Sequence, residues 1–313
     1  MKLVRLFAGF ALFLVQFLLF TDVSAVSSSN SGDIQKNHVL ILDFKNIQKI
    51  PENFRSTWKD ISRIPADIST LGLKDLNISG SHEFSDLELK AIHMENPIIT
   101  VVVDLRQETH FFVDGNAVTF FSLHDWGNKG LSDRQILYNE KIFFEFLKKE
   151  SLLIIQERYY EDPKNTEPSF MTFKHPTILS EKELVKNHGL FYIRLFVTDG
   201  MPPEHIQVDR FIEFVKTLPP RTGLYFHCRD GKGRTTTFMA LYDMMHNAKN
   251  VSFEDIIKRQ FYLGGVDLSN IDKSGFNPDL NQQRLNFLRQ FYAYAKENMD
   301  DFSTLWSHYL NQN

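Results

Sequence analysis

The stretch 224–237 (LYFHCRDGKGRTTT) constrains the fold of this chain more than any other, because it joins a strand pattern, a glycine-bearing loop and a helix start. Its first three residues, 224–226, are apolar and typical of a short buried strand, and a helical pattern begins near Arg234. Backbone N–H groups of a loop that turns around Gly231 and Gly233 can point inward, and the first helical turn adds its own free N–H groups and positive dipole end. This order of elements predicts an anion-binding site at the end of a strand.

Two side chains of this loop predict its chemistry: Cys228 lies at its base and Arg234 follows six positions later. The donors that bind an anion also favour a thiolate, and a thiolate that faces a bound phosphate is a nucleophile facing an electrophile. The planar guanidinium offers two parallel, permanently charged hydrogen bonds to phosphate oxygens. We therefore predict phosphate monoester hydrolysis through a phosphocysteine intermediate. Thr235 is expected to donate to the departing thiolate, and His227 to orient the loop backbone.

The leaving alkoxide needs a proton, and Asp199 is the acid that the chain order favours. It follows a predicted strand at 190–197, shares its loop with Gly200 and Pro202, and precedes the cysteine loop by the length of one helix. That spacing places it at the same sheet edge, where it can later act as base for water; a simple turn residue is the alternative. No set of His and carboxylates has metal-ligand spacing, so we expect neither a metal nor another cofactor.

The rest of the chain alternates between strand and helix patterns. The β-branched run 98–103 is typical of a buried parallel strand, and 111–121 alternates as a hairpin does. Helical patterns cover 132–150 and 282–298. These patterns predict an α/β fold with a mostly parallel central sheet flanked by helices. Arg106 follows the run 98–103, and spacing alone leaves a ligand contact and a surface salt bridge equally open.

The N-terminal segment 1–25 has a basic start, a short apolar run and small residues before Ala25, which is the pattern of a secretory signal peptide. A membrane anchor is the competing interpretation, but the apolar run is short for a span. The Ser-rich segment 26–36 reads as a flexible lead-in. We therefore predict an exported protein, periplasmic or secreted, without a stable membrane span after cleavage.

The net charge and the cysteine count of the chain restrict its possible partners and chemistry further. A net charge of −4 argues against a general polyanion binder, so no nucleic-acid partner is expected. The chain has one cysteine, and an exported protein normally uses cysteines in pairs. A single unpaired Cys228 therefore indicates a reactive thiol, and no disulfide holds the fold.

The residues His227-Cys228-x-x-Gly231-x-Gly233-Arg234-Thr235 resemble the signature loop of the cysteine-dependent protein tyrosine phosphatase superfamily. Other segments resemble motifs of the bacterial tyrosine-phosphatase-like inositol phosphatases, or cysteine phytases. These segments are 104–108 (DLRQE), 114–118 (DGNAV), 125–131 (DWGNKGL), 199–203 (DGMPP) and 259–265. Together the resemblance covers 101 to about 294.

The resemblance implies a tyrosine-phosphatase core with a small β-rich subdomain, metal-free activity and a wide basic pocket for inositol polyphosphates such as myo-inositol hexakisphosphate. It implies Cys228 as nucleophile, Asp199 as general acid, Arg234 on the scissile phosphate and Arg106 on another substrate phosphate. The expected division is an N-terminal part of the core at 37–106, an inserted β-rich subdomain with a helix at 107–180, and the catalytic core at 181–313. The remaining expected substrate-binding residues all lie in the signature loop: His227, Arg229, Asp230, Gly231, Lys232 and Gly233.

Some residues depart from the family pattern. Asp230 places an acid beside the anion site, and Gly200 and Met201 are not the usual residues after the acid. The pair Arg229 and Lys232 resembles the phosphoinositide phosphatases. A secreted phosphotyrosine or phosphoinositide phosphatase is therefore an alternative function, and a non-catalytic phosphate-binding module is an alternative from another class. The oligomeric state stays open.

Overall fold

The computed structural model describes residues 39–96, 98–158, 168–271 and 278–312, so the predicted signal peptide and lead-in lie outside the described residues. Within the described ranges the strands form two sheets. Their bounds are β1 Val39–Phe44, β2 Arg55–Ser56, β3 Ile78–His82, β4 Ile99–Asp104, β5 His110–Val113, β6 Asn116–Phe121, β7 Leu152–Glu157, β8 Phe170–Lys174, β9 Ile178–Leu179, β10 Phe191–Arg194 and β11 Gly223–Cys228.

The first sheet has the order β10-β4-β11-β3-β2. Its pairings are parallel except for the short β2, which runs antiparallel to β3. The central strands β4 and β11 consist mostly of buried residues, as parallel strands covered on both faces require. Because β11 pairs with β3 and β4, Cys228 lies opposite His82 and His227 lies opposite Asp104.

The second sheet has the order β8-β7-β1-β6-β5-β9 and is antiparallel except for the pair β1–β7. It contains the predicted hairpin, whose strands β5 and β6 turn at Asp114 and Gly115 with positive φ at both. It also contains β1, which the sequence placed in the N-terminal part of the core. There β1 pairs with β6 and β7, contacts that are remote in sequence and that a local pattern does not reveal.

Helices cover the first sheet and begin with recognisable caps. Ser85, Ser180 and Ser252 each accept a hydrogen bond from a backbone N–H three residues later. Their bounds are α1 Asp86–Glu95, α2 Asp133–Leu147, α3 Glu181–Asn187, α4 His205–Lys216, α5 Gly233–Asn247, α6 Phe253–Tyr262, α7 Pro278–Glu297 and α8 Trp306–Leu310. No helix among the described residues is long and apolar enough to cross a bilayer.

The helix α5 runs through the main core directly after the cysteine loop. Most of its side chains are buried, including Phe238, Met239 and Leu241. The core also takes in Phe226 from β11 and Leu288 from α7. Burial on this scale, at about 1.5–3 kcal/mol for each large apolar side chain, fixes the start of α5 relative to the end of β11. The predicted α/β fold, with helices flanking a mostly parallel central sheet, is confirmed, and the second sheet is largely antiparallel.

Candidate active site

The nucleophile loop, 228–234, connects β11 with α5. Cys228 ends the strand with 3% of its surface exposed, and Thr235 Oγ1 donates a hydrogen bond to its sulfur over 3.2 Å. Gly231 has a φ of +68°, and a Cβ there would lie 2.2 Å from the backbone of Ser81. Both facts require glycine at this position, so the loop can follow its curve only with this residue.

A buried arginine that the sequence did not single out supports the outside of this loop. Arg55 Nη1 donates to the carbonyl oxygen of Gly231 over 2.8 Å, and its Nη2 donates to Thr236 Oγ1 over 3.0 Å. Asn53 Nδ2 donates to the carbonyl oxygen of Asp230 over 2.9 Å. Burial lowers the pKa of Arg55 to about 10, which leaves it charged at neutral pH. These donors turn the loop carbonyls outward, and this leaves the N–H groups for the inside.

Arg234 is held under the loop by Glu108. Its Nη1 and Nη2 donate to the two carboxylate oxygens over 2.6 and 2.8 Å, and Nη1 also donates to the carbonyl oxygen of Val197 over 3.1 Å. Nε lies 3.1 Å from Oδ1 of Asp199. Burial would raise the pKa of Glu108, but Arg234 and Arg106 hold that pKa well below its usual range. The guanidinium is thereby fixed in one plane, with its Nε edge towards the candidate acid.

The structure corrects the expectation for Arg106. Its side chain is fully buried, with Nη1 2.5 Å from Glu83 Oε1 and Nε 2.8 Å from Glu108 Oε1, and it donates to Thr119 Oγ1 over 2.6 Å. A guanidinium enclosed by two carboxylates below the loop cannot reach a substrate phosphate. Arg106 instead neutralises Glu83 and orients Glu108, which in turn orients Arg234.

Arg229 is also engaged by protein carboxylates, contrary to the expectation of a free basic pair with Lys232. It donates to Asp43 Oδ1 through Nε and Nη2 over 2.9 and 2.7 Å, and to both oxygens of Asp125 through Nη1 over 2.9 and 3.0 Å. Burial raises the pKa of Asp125 to about 6, and Glu108 adds to this effect. Arg229 borders the cleft, but its charge is offset by these two acids.

His227 is fully buried and does not reach the cleft. Its Nε2 lies 2.7 Å from Glu181 Oε1, and His110 Nε2 lies 2.9 Å from the other oxygen of Glu181. Burial would lower the pKa of both histidines, but Glu181 raises the pKa of His227, and Asp104 raises that of His110 to about 10. His227 thus pairs with Glu181 at the end of β11, and its placement among the substrate-binding residues is corrected, because its side chain is fully buried.

Among the residues that the structure describes, histidines and carboxylates of metal-ligand type come together in two buried groups, which the linear spacing had hidden. They are Glu83–His110–Glu181 and Asp104–Glu181–His227, whose ligand atoms lie within 4.8 Å of one another. Metals bind neutral imidazole, and both histidines carry a raised pKa and pair with Glu181. The arrangement therefore fits ion pairing better than metal binding.

A cleft of about 210 Å³ opens above the sulfur of Cys228. Of the residues expected from sequence, it brings together Cys228, Asp199, Arg229, Asp230, Lys232 and Gly233. Its full lining is Asp125, Asp199, Gly200, Cys228, Arg229, Asp230, Lys232, Gly233 and Arg284. A larger cavity of about 620 Å³ lies beyond the acid loop, between 202–206 and α7, and has neither a nucleophile nor a Lys or Arg in its lining. The chemistry therefore points to the smaller cleft.

The acid loop, 198–203, follows β10 and carries Asp199, whose side chain is 48% exposed. Trp126 Nε1 donates to the carbonyl oxygen of Asp199 over 2.9 Å. Arg284 Nη2 donates to the carbonyl oxygen of Gly200 over 2.7 Å. Thr198 Oγ1 donates to Gln107 Oε1 over 2.8 Å. The backbone of the loop is thus held while the carboxylate of Asp199 stays accessible.

Arg284, on α7, is a cleft residue that the sequence reasoning missed. Burial lowers its pKa, and a Cβ at Gly233 would lie 3.1 Å from its Nη1, so glycine lets the guanidinium approach the loop. A signal existed, because Arg284 precedes the core residue Leu288 by four positions and so shares its helix face. A charged side chain on that face needs a buried partner or a function.

Asp230 pairs with Arg158, which directly follows β7 of the second sheet. Arg158 Nη2 donates to its Oδ1 over 2.7 Å. Burial would raise the pKa of Asp230, but Arg158 lowers it below its usual value. The acid that seemed out of place beside an anion site is therefore offset by a neighbour from β7's end.

Comparison with known proteins identifies the family of this chain. The model of the tyrosine-phosphatase-like phytase family, described as "Inositol hexakisphosphate", matches residues 103–246. The chain is 32% identical to the effector protein hopD2 of Pseudomonas syringae pv. tomato over 264 residues, which are 82% of this chain and 56% of the relative. The chain thus spans little more than half the length of this relative.

Two solved structures share both sequence and fold. The myo-inositol phosphatase of Mitsuokella multacida in complex with myo-inositol-(1,3,4,5)-tetrakisphosphate is 33% identical, with a TM-score of 0.79, and the match covers 90% of this chain and 50% of that one. The phytase of Bdellovibrio bacteriovorus is 30% identical, with a TM-score of 0.67, and the match covers 93% and 98% of the two chains. Matched in fold and in sequence over nearly its whole length, this chain belongs to the tyrosine-phosphatase-like phytase family of cysteine-dependent phosphatases.

Proposed function

We propose that this protein hydrolyses phosphate monoesters through a phosphocysteine intermediate and that inositol polyphosphates are its substrates. One observation carries the proposal: Cys228 and Asp199 line the same cleft. Buried beside it, Thr235 Oγ1 lies 3.2 Å from the sulfur of Cys228, and Arg234 Nε lies 3.1 Å from Asp199 Oδ1. A nucleophile, an anion-binding cation and an acid are the three parts that this chemistry needs.

In the first step the thiolate of Cys228 attacks phosphorus and displaces the inositol oxygen. The P–O bond breaks as the S–P bond forms, and Asp199 gives its proton to the departing alkoxide. Loop N–H groups, the start of α5 and Arg234 stabilise the charge on the phosphoryl oxygens, so this mechanism needs no metal. The half-exposed carboxyl of Asp199 can meet a leaving group that enters from solvent.

In the second step the carboxylate of Asp199 removes a proton from water, which attacks phosphorus. The S–P bond breaks, inorganic phosphate leaves and the thiolate returns. Thr235 Oγ1 is already placed to donate a hydrogen bond to the sulfur as negative charge returns to it. Asp199 ends the cycle protonated, ready to act as acid again.

The lining of the cleft favours an inositol phosphate over phosphotyrosine. None of the described side chains that line the cleft is aromatic, whereas a phosphotyrosine site would pack aromatic side chains against the ring of its substrate. Lys232 and Arg284 add positive charge at its rim. Arg229 is occupied by two carboxylates, so the basic pair that resembled phosphoinositide phosphatases does not face the ligand as a pair. The tetrakisphosphate in the Mitsuokella relative agrees with this substrate class.

The test compares phosphate release from myo-inositol hexakisphosphate, a phosphotyrosine peptide and a soluble phosphoinositide, each with and without EDTA. The inositol substrate should react fastest, with no effect of EDTA, and Cys228→Ser should abolish release from all three. Asp199→Asn should lower kcat on the inositol substrate by about 10²–10⁴, the usual share of a general acid. Activity that survives Cys228→Ser would refute the mechanism, and a preference for the peptide would refute the substrate class.

We also propose that the protein is exported. The pattern of residues 1–25 supports this, and so does the relative that is named an effector protein. Expression of the full chain in a bacterial host, followed by N-terminal sequencing of the periplasmic and medium fractions, tests it. A new N-terminus at Val26 is the expected result, and an intact N-terminus in the cell pellet would contradict it.

A further inference from the structure

We propose that the turn 125–128 is a bracket between the acid loop and the nucleophile loop, and that Trp126 is the positioning residue for Asp199. This inference rests on the proposed function, because it concerns the proton that Asp199 delivers. The segment contributed to the family resemblance, yet neither the nucleophile, the acid nor the anion site lies in it. Its role therefore has to come from its contacts.

Three side chains of the turn reach three different parts of the site. The carboxylate of Asp125 accepts two hydrogen bonds from Arg229 of the nucleophile loop, over 2.9 and 3.0 Å. Trp126 Nε1 donates to the carbonyl oxygen of Asp199 over 2.9 Å. Asn128 Nδ2 donates to the carbonyl oxygen of Gln107 over 2.9 Å. Adjacent residues thus hold the two reacting loops at a fixed separation.

The contact of Asn128 with Gln107 also links the turn to the acid loop. The side chain of Gln107 accepts a hydrogen bond from Thr198, the first residue of the acid loop, over 2.8 Å. Its main chain accepts from Asn128. The acid loop is therefore tied to the bracket twice, once through the indole and once through Gln107. A shift of the turn would move both ties together.

The turn itself is well fixed. His124 and Asp125 adopt left-handed φ values of 60° and 58°, which non-glycine residues adopt only when their surroundings impose them. Asp125 N donates to the carbonyl oxygen of Ser122 over 2.9 Å. Lys129 Nζ lies 4.1 Å from the centre of the Trp126 ring, a cation–π contact that holds the indole in place. The indole N–H is thus a stationary donor for the acid loop.

Position matters more for Asp199 than for the thiol. A general acid must come within about 2.6–3.2 Å of the oxygen that it protonates. The sulfur of Cys228 is buried, whereas the carboxylate of Asp199 is half exposed and its loop has few internal hydrogen bonds, such as Met201 N to the Thr198 carbonyl oxygen over 3.2 Å. The hydrogen bond from Trp126 to the backbone carbonyl of Asp199 fixes the backbone position from which the carboxyl side chain extends.

The leaving group distinguishes this role from general support of the fold. An inositol alkoxide is a poor leaving group and needs the proton, whereas 4-nitrophenolate leaves without one. Trp126→Phe removes the indole N–H and keeps a ring. We expect kcat on myo-inositol hexakisphosphate to fall about tenfold, a part of the full value of a general acid, while kcat on 4-nitrophenyl phosphate changes less than about twofold.

Trp306→Phe is the matched control, because Trp306 Nε1 donates over the same 2.9 Å to His205 Nδ1 on α4, outside the cleft. It should leave the ratio of the two rates unchanged. The double variant Trp126→Phe/Asp199→Asn should be no slower on the inositol substrate than Asp199→Asn alone, since the indole acts through the acid. Asn128→Ala, which cuts the tie to Gln107 and keeps the indole, should shift the ratio in the same direction by a smaller factor.

Equal losses on both esters in Trp126→Phe, or additive losses in the double variant, would overturn the proposal. Should Trp126→Phe lose its fold by circular dichroism, Asn128→Ala decides by the same ratio, and an unchanged ratio there also overturns it. Failure of the proposed function looks different: the unmodified protein would then release phosphate from neither ester.

Discussion

The nucleophile loop, 228–234, contains a buried ion pair with Glu108, whereas the acid loop, 198–203, is held by single hydrogen bonds to its carbonyl oxygens. Arg55 and Glu108, both fully or almost fully buried, hold the first loop. Trp126 and Arg284 hold the second, and the carboxylate of Asp199 stays about half exposed. In the proposed mechanism the first loop presents N–H groups in an unchanging cradle, and the second brings a proton to leaving groups of different shape.

The two modes of support should fail in different ways. Removing one partner of a buried ion pair leaves an uncompensated charge, which typically costs about 3–5 kcal/mol. Losing one neutral hydrogen bond to a carbonyl costs about 0.5–1.5 kcal/mol. Substitutions under the nucleophile loop should therefore harm stability and every substrate. Substitutions around the acid loop should harm only esters that need a proton.

The largest effect is expected from Glu108→Gln. It removes the negative charge that pairs with both Arg234 and Arg106, so the guanidinium of Arg234 loses its fixed plane. We expect kcat to fall about a hundredfold on both myo-inositol hexakisphosphate and 4-nitrophenyl phosphate, the cost typical of a small misplacement in an active site, together with a lower midpoint of urea unfolding.

Glu88→Gln is its control, because Glu88 is also a buried carboxylate but caps α1. It should lower the unfolding midpoint and leave both rates near those of the unmodified protein. If Glu108→Gln lowered kcat only on the inositol ester, the proposed difference between the two loops would be wrong.

A smaller and selective effect is expected from Arg284→Gln. This change removes the second donor to the acid loop and one positive charge of the cleft. With Trp126 still in place, kcat on the inositol ester should fall about three- to fivefold, the cost of one hydrogen bond. KM should rise for the hexakisphosphate more than for the nitrophenyl ester, because more phosphates lose an attractive charge.

Arg289→Gln on the same helix is the matched control, since Arg289 is exposed and contacts Glu254 and the ring of Phe253. It should change neither rate nor KM. If Arg284→Gln raised KM equally for the two esters while kcat stayed the same, Arg284 would be a general anion contact and no support of the acid loop.

The smallest effect is a pH dependence of stability below the nucleophile loop. Burial alone would lower the pKa of His110, but Asp104 raises it to about 10, against 6.5 in the unfolded chain. A raised folded pKa means that the stabilisation is fully present below pH 6.5 and is lost as the pH rises towards 10. The free energy of unfolding should therefore fall as the pH rises through this window.

Urea unfolding of the unmodified protein and of His110→Gln at several pH values between 6 and 10 measures this loss. The gap between the two proteins should narrow as the pH rises, because the variant has no imidazolium to lose. A gap that stays constant would mean that His110 is neutral throughout and that its hydrogen bonds, not its charge, stabilise the pair with Glu181.

Much of the site was predictable because it lies in one continuous stretch. The order of strand, glycines and helix in 224–237 predicted the loop, and the sulfur of Cys228 and the hydroxyl of Thr235 lie as expected. Asp199 could be placed at the same sheet edge because parallel strands end together. The role of each of these residues in catalysis stays a proposal until the variants above are measured.

Errors and omissions arose where a side chain's partner lies far away in sequence. Arg106 looked like a ligand residue, but Glu83 and Glu108 enclose it. Arg229 looked like half of a basic pair, but Asp43, about 190 residues earlier, neutralises it. From the sequence, Arg284 could be recognised only as a charged residue on the face of α7 that packs into the core.

The sequence by itself predicted the candidate reactive groups, because thiol, glycine turns and helix start act over a few neighbouring residues and depend on local geometry. The tertiary structure alone decided which charges remain available to a ligand. Charged side chains such as Arg106, Glu108 and Arg234 are buried together, and burial makes the charge state of each depend on its neighbours in space. These charge pairs form only when β1, β4 and α7 pack together, so the order of residues along the chain does not reveal them.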